Sequence, residues 1–169
     1  PQLLDLEAAS ELVLVDNLEE EANPEIVDLC VRLEAEGLLP EQDGIGMDPE
    51  GVGSIVDALV DGGFEIEDIR AVGQGWKLNS AIQRAPVKLK NGSLVHCGQR
   101  LMTWCVGNAK TEARGNAVIV TKAQSGRAKV DPLMALFNAV MLMSWNPVAR
   151  TASRPVTPWD ADPDFKMVG

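Results

Sequence analysis

Apolar residues along the chain switch between helical spacing and short continuous runs, and glycine or proline marks most of the switches. From Pro24 to Glu36 the positions Ile26, Val27, Leu29, Cys30 and Leu33, followed by Leu38, recur at helical spacing. Asn23 offers a cap there, Pro24 the first helical position and Gly37 a stop. Gly44 to Met47 is a short apolar run, read as a strand ending at Asp48. Pro49 should then open an amphipathic helix through Ile55, Val56, Leu59 and Val60 to Gly62-Gly63. Ile69 to Val72 reads as another buried strand, followed by the Gly73-Gln74-Gly75 turn. A helix is predicted from Leu78 to about Leu89, with Pro86 inside it and an Asn91-Gly92 turn after it.

Leu94 to Cys97 is expected to be a short strand, Arg100 to Gly107 a short helix, and Ala117 to Thr121 a strand entered through Gly115-Asn116. Asp131-Pro132 opens a helix, Leu133 to Trp145, that is apolar on nearly every side and should therefore pack centrally. Leu12 to Val15 reads equally as a strand or a helix end. Helices alternating with short strands predict an α/β domain over residues 1–147. The stretch 148–169, carrying Pro155, Pro158 and Pro163 without periodicity, is expected to be an extended or disordered tail.

A chain of 169 residues with 46% hydrophobic content suits one domain with a real core. No run is apolar enough for a membrane span, and the acidic first residues are unlike a signal peptide, so a soluble, intracellular protein is expected. Cys30, Cys97 and Cys105 fit neither a zinc site nor a disulfide framework and are expected to be buried free thiols.

The net charge of -10 conceals a division. Residues 1–70 hold 20 acids against Arg32 and Arg70, a net of -18, whereas residues 71–169 hold 13 basic residues against 5 acids, a net of +8. Between Gly73 and Arg154 the only acids are Glu112 and Asp131, set among twelve basic residues. Such a distribution suits either a phosphate-facing surface or a basic face that pairs with the acidic half.

Two Asp-Pro pairs, Asp48-Pro49 and Asp131-Pro132, each stand where a helix should begin. An N-cap role accounts for either pair alone. It accounts less well for Asp131, an isolated carboxylate among Lys122, Arg127 and Lys129 at the head of the most hydrophobic helix. Hydrolysis of a phosphodiester by two metal ions needs several rigidly mounted carboxylates, and hard oxygen ligands favour Mg²⁺ or Mn²⁺. His96 is the single histidine, which excludes a multi-histidine metal site. No phosphate-binding glycine loop and no serine or cysteine nucleophile motif is present.

From Gly44 onward the chain resembles the C-terminal nuclease domain of the large terminase subunit of tailed bacteriophages. The resemblance is carried by Ile45-Gly46-Met47-Asp48-Pro49 with Gly51, Gln74-Gly75-Trp76-Lys77-Leu78, and Leu94 with His96. It continues through Trp104-Cys105-Val106-Gly107-Asn108-Ala109, Gly115-Asn116-Ala117 with Lys122, and Lys129-Val130-Asp131-Pro132 leading into Phe137-Asn138-Ala139-Val140. It implies a ribonuclease H-like fold with a central mixed sheet, two Mg²⁺ or Mn²⁺ ions, and cleavage of concatemeric viral DNA during genome packaging. Asp48 matches the family's second acidic ligand and Asp131 its last. The first ligand would lie on an opening strand preceding this chain, so Pro1 would be a cut inside a longer protein.

The implied partners are double-stranded DNA, contacted through Lys77, Arg100, Lys122, Arg127 and Lys129, and the terminase small subunit and portal of the whole protein. The setting implied is the cytoplasm of a bacterial host. Unpaired strand edges would favour a homo-oligomer. A non-catalytic remnant that binds DNA or portal through the same basic half is the alternative, and a purely structural α/β domain a third reading.

Overall fold

The Asn17 side chain opens the first well-tied stretch by accepting the backbone N–H groups of Glu19 and Glu20. The single π-turn it caps, Leu18–Ala22, runs directly into a helix. In the computed structural model, which describes residues 2–122 and 128–150, the helices are α1 (Gln2–Ala8), α2 (Asn23–Ala35), α3 (Gly53–Asp61), α4 (Asn79–Lys90), α5 (Arg100–Gly107) and α6 (Asp131–Met143). The strands are β1 (Ile45–Met47), β2 (Ile69–Ala71), β3 (Ala109–Arg114) and β4 (Ala117–Lys122).

Gly37, at φ +67, ends α2 as expected: its N–H and that of Leu38 return to the carbonyls of Glu34 and Leu33. Gly63, at φ +100, closes α3 in the same manner, with Phe64 bonded to Leu59.

The molecule is mixed α/β. The resemblance implies one central mixed sheet; the described strands instead form two separate pairs, β1 parallel to β2 and β3 antiparallel to β4. Side-chain alternation makes the β1–β2 pair a partition between two cores. Ile45, Met47 and Ile69 pack with Cys30, Leu59 and Phe64 from the α2–α3 layer. Val72, just beyond β2, joins the larger core of α4, α5 and α6 on the other side. Gly46 also faces that side: a Cβ there would lie 2.7 Å from Leu142 Cδ1, so only glycine lets β1 lie this close to α6.

Small residues permit a second close approach. Ala81, Ile82 and Ala85 are buried on α4, with Leu78 just before it, where α4 meets α6. Pro86 is exposed inside α4 and does not end it, since the buried face holds the helix on to Lys90.

Several expectations need correction. The helix expected from Pro49 starts at Gly53, because the Asp48 carboxylate accepts the Glu50 N–H and Gly51 adopts φ +71, which holds residues 48–52 in a bend. Leu94 to Cys97 is not a strand: Leu94 packs against the larger core, but Val95, His96 and Cys97 are exposed, and no described strand pairs with the segment. Leu12 to Val15 belongs to neither regular element. Cys97 is exposed, whereas Cys30 and Cys105 are buried. β3 was not anticipated; its residues, Ala-Lys-Thr-Glu-Ala-Arg, carry little strand character. It forms because Gly115, at φ +59, turns the chain tightly onto β4, pairing Arg114 with Ala117.

Of the expected tail, residues 148–150 are described. Ala149 bridges to Pro40, and Arg150 pairs with both Glu34 and Asp68. Residues 151–169 lie outside the described part. Among the described residues no helix is long and apolar enough to cross a membrane.

Candidate functional site

β1 delivers Asp48 at its carboxyl end, and α6 delivers Asp131 as its first residue. The two come together on one cleft of about 580 Å³, along with Lys122 from the end of β4. Both carboxylates are exposed. A capping role fits neither well. Asp48 lies five residues before α3 and closes only its own bend. Asp131 is inside α6, behind a Val130 cap, and accepts no hydrogen bond from the described residues.

The approach to Asp131 is anchored from behind. Asn108, at the end of α5, donates its side-chain N–H to the Lys129 carbonyl at 3.0 Å. Cys105 is fully buried nearby; burial, and then the negative charge of Asp131, pushes its thiol pKa up. The site therefore sits on packed elements on the α6 side and on a glycine-dependent contact on the β1 side.

Other candidate cations fall at different distances from this centre. Lys122 lines the cleft. Lys77 is exposed in the 3-10 turn Gly75–Leu78, its aliphatic stem folded against Gly73. Lys129 is exposed two residues before Asp131, and Arg100 is exposed at the start of α5; neither lines the cleft. Arg127 lies outside the described residues. His96 is exposed and its Nδ1 accepts the Gly98 N–H, a local turn.

Sequence reasoning missed three polar residues of the cleft: Thr121, whose hydroxyl bonds within the β3–β4 pair, and Gln74 and Asn138. Gln74 Nε2 donates to the Val72 carbonyl at 2.8 Å and to Asn138 Oδ1 at 3.0 Å. The available signal was Asn138 itself, a lone amide amid the apolar residues of α6.

The donor set can be compared with what a metal needs. Mg²⁺ commonly binds through one or two carboxylates while keeping several waters and taking further oxygens from a phosphate. Asp48 and Asp131 suit one such ion. Among the described residues no group of three or more His, Cys, Asp or Glu gathers at one point, so they do not by themselves furnish ligands for two.

No protein-family model matches the chain, and neither a curated protein nor a solved structure matches it.

Proposed function

We propose that this chain is a divalent-metal-dependent endonuclease domain of the terminase large-subunit type, with a ribonuclease H-like α/β fold, acting on double-stranded DNA. The observation that carries the proposal is the meeting of Asp48, Asp131 and Lys122 on one cleft, from three separate stretches of chain. Carboxylates that share a cleft with a lysine, Asp48 from the acidic half of the sequence and Asp131 and Lys122 from the basic half, suit a metal and a phosphodiester together.

In this reading Asp48 and Asp131 hold Mg²⁺ or Mn²⁺. A bound ion supplies Lewis acidity, activating water and offsetting charge on the phosphate. Lys122 offers its ammonium to the phosphate, and the exposed Lys77, Arg100 and Lys129 extend the contact along the DNA backbone without reading sequence. The two-ion site implied by the resemblance, the terminase small subunit and portal as partners, a homo-oligomer and a host-cytoplasm setting belong to the same proposal.

Incubation of supercoiled plasmid with the chain and Mn²⁺ tests it. Nicking or linearisation is expected, abolished by EDTA and by Asp131→Asn. If neither the wild-type chain nor a longer form cuts or binds Mn²⁺, the nuclease reading is refuted. Binding of DNA without Mn²⁺ dependence would favour the non-catalytic alternative, which the two-carboxylate cleft leaves standing.

A further inference from the structure

Asn138 is 7% exposed, a neutral amide in a helix otherwise built for the core. A buried amide left unbonded costs about 1–3 kcal/mol, so its partners are informative. Its orientation is dictated by a chain of hydrogen bonds. The Val72 carbonyl can only accept, so the Gln74 NH₂ must face it. The second proton of that NH₂ then requires an acceptor from Asn138, which turns Oδ1 towards Gln74 and Nδ2 away.

Asn138 Nδ2 has no partner among the described residues. Because no fully enclosed side-chain nitrogen or oxygen there lacks one, this NH₂ must reach open space, and the space that Asn138 lines is the cleft. The cleft thus presents a fixed N–H donor, supplied with an orientation by Gln74 and lacking any acceptor of its own.

The complement of a donor that shares its cleft with Lys122 is an anionic oxygen. Asn138 follows Asp131 by two helical turns, about 10 Å along the axis at 1.5 Å per residue. A ligand that meets both must be extended, as a phosphodiester strand is. We infer that Asn138 Nδ2 hydrogen-bonds a non-bridging phosphate oxygen of a nucleic-acid strand lying in the cleft, and that Gln74 is the positioning residue that aims it. The inference rests on the reading of the cleft as a DNA site, yet it requires no cleavage.

Fluorescence anisotropy of a labelled duplex oligonucleotide, titrated with the full chain across a salt series in Ca²⁺, is the test. Asn138→Ser should weaken binding about tenfold or more, the worth of one hydrogen bond to a charged acceptor. The slope of log K against log salt should stay unchanged, because no charge is lost, while Lys122→Met should flatten it by about one. Gln74→Met should weaken binding similarly, and Gln74→Met with Asn138→Ser should be no worse than Asn138→Ser alone, since Gln74 acts through Asn138. General damage to the fold would give additive losses. Should Asn138→Ser fold poorly, Asn138→Asp keeps the volume and the acceptor facing Gln74; it should lose at least about tenfold by placing a carboxylate against phosphate. Wild-type affinity in both Asn138 variants overturns the inference and leaves the DNA reading intact. Absence of DNA binding by the wild-type chain overturns both.

Discussion

Replacing Gly46 with alanine probes the contact that holds the strand bearing Asp48 against the helix bearing Asp131. The new methyl would sit 2.7 Å from Leu142 Cδ1 and 3.2 Å from Val72 Cγ2, against a comfortable carbon–carbon separation of about 3.5–4.0 Å. Leu142 is 8% exposed and Val72 2%, so neither can simply swing into solvent. Overpacking of this kind costs about 1–3 kcal/mol, offset by about 0.4–1 kcal/mol because alanine restricts the unfolded chain. The net expectation for Gly46→Ala is a loss of about 1–2 kcal/mol. Leu142→Ala alone should cost about 2–4 kcal/mol by leaving a cavity. In the double variant the methyl on residue 46 partly fills that cavity, so the combined loss should fall short of the sum by about 1 kcal/mol or more. Urea unfolding followed by tryptophan fluorescence reads all three. With a slope near 2 kcal/mol/M, a shift of 1 kcal/mol moves the midpoint by about 0.5 M. Additivity within about 0.5 kcal/mol, or a Gly46→Ala variant as stable as wild type, would refute the packing argument.

Four further outcomes follow from particular residues. Pro86→Ala should raise stability by about 1–3 kcal/mol, since the proline is exposed inside α4 and denies it a hydrogen bond; a thermal midpoint that stays put or falls would contradict this. Arg150→Gln should lower stability by about 1–2 kcal/mol by removing charged partners from Glu34 and Asp68, and an unchanged urea midpoint would show that this clasp contributes nothing. Only Cys97 should react quickly with a thiol reagent at pH 8, the signal vanishing in Cys97→Ser, whereas three fast thiols would contradict the burial of Cys30 and Cys105. Burial raises the pKa of both buried thiols, so the folded state keeps protons that the unfolded state gives up first. Stability should therefore fall as pH rises above about 9, and constant stability there would show that the thiols do not contribute.

What could be read from the chain alone was whatever carried its own local signal. α2 is opened by Pro24 and closed by Gly37, although Asn23 lies inside the helix behind Ala22 instead of capping it; α5 spans the expected Arg100–Gly107, and α6 announces itself by hydrophobicity that only Asn138 interrupts after Asp131-Pro132. Elements decided by a neighbour were not legible in that way. β3 owes its existence to the Gly115 turn and to β4, and α3 begins late because one carboxylate prefers its own backbone to a helix. Val95 is apolar enough for a strand yet has none to pair with. The same division holds at the cleft: Asp48, Asp131 and Lys122 stand out by charge, whereas the value of Gln74 and Asn138 depends on a hydrogen bond spanning 64 residues of sequence.

The partition formed by β1 and β2 has an electrical consequence. It places the core built from the acidic part of the chain, through α2 and α3, on one side and the core of the basic part, through α4, α5 and α6, on the other. Glu11 is one acid that crosses over, capping α5 through the Leu101 N–H at 2.7 Å. Apart from such crossings, the described charges of α2 and α3 are mostly acidic and those of α4 and α5 all basic, so the partition separates charge in space and gives this part of the molecule a dipole. In the field of a polyanion it experiences a torque before any contact forms, turning the α2–α3 side outward and the α4–α6 side inward. Repulsion of the whole molecule and attraction of its leading face then compete, and salt within a Debye length of about 8–10 Å weakens both.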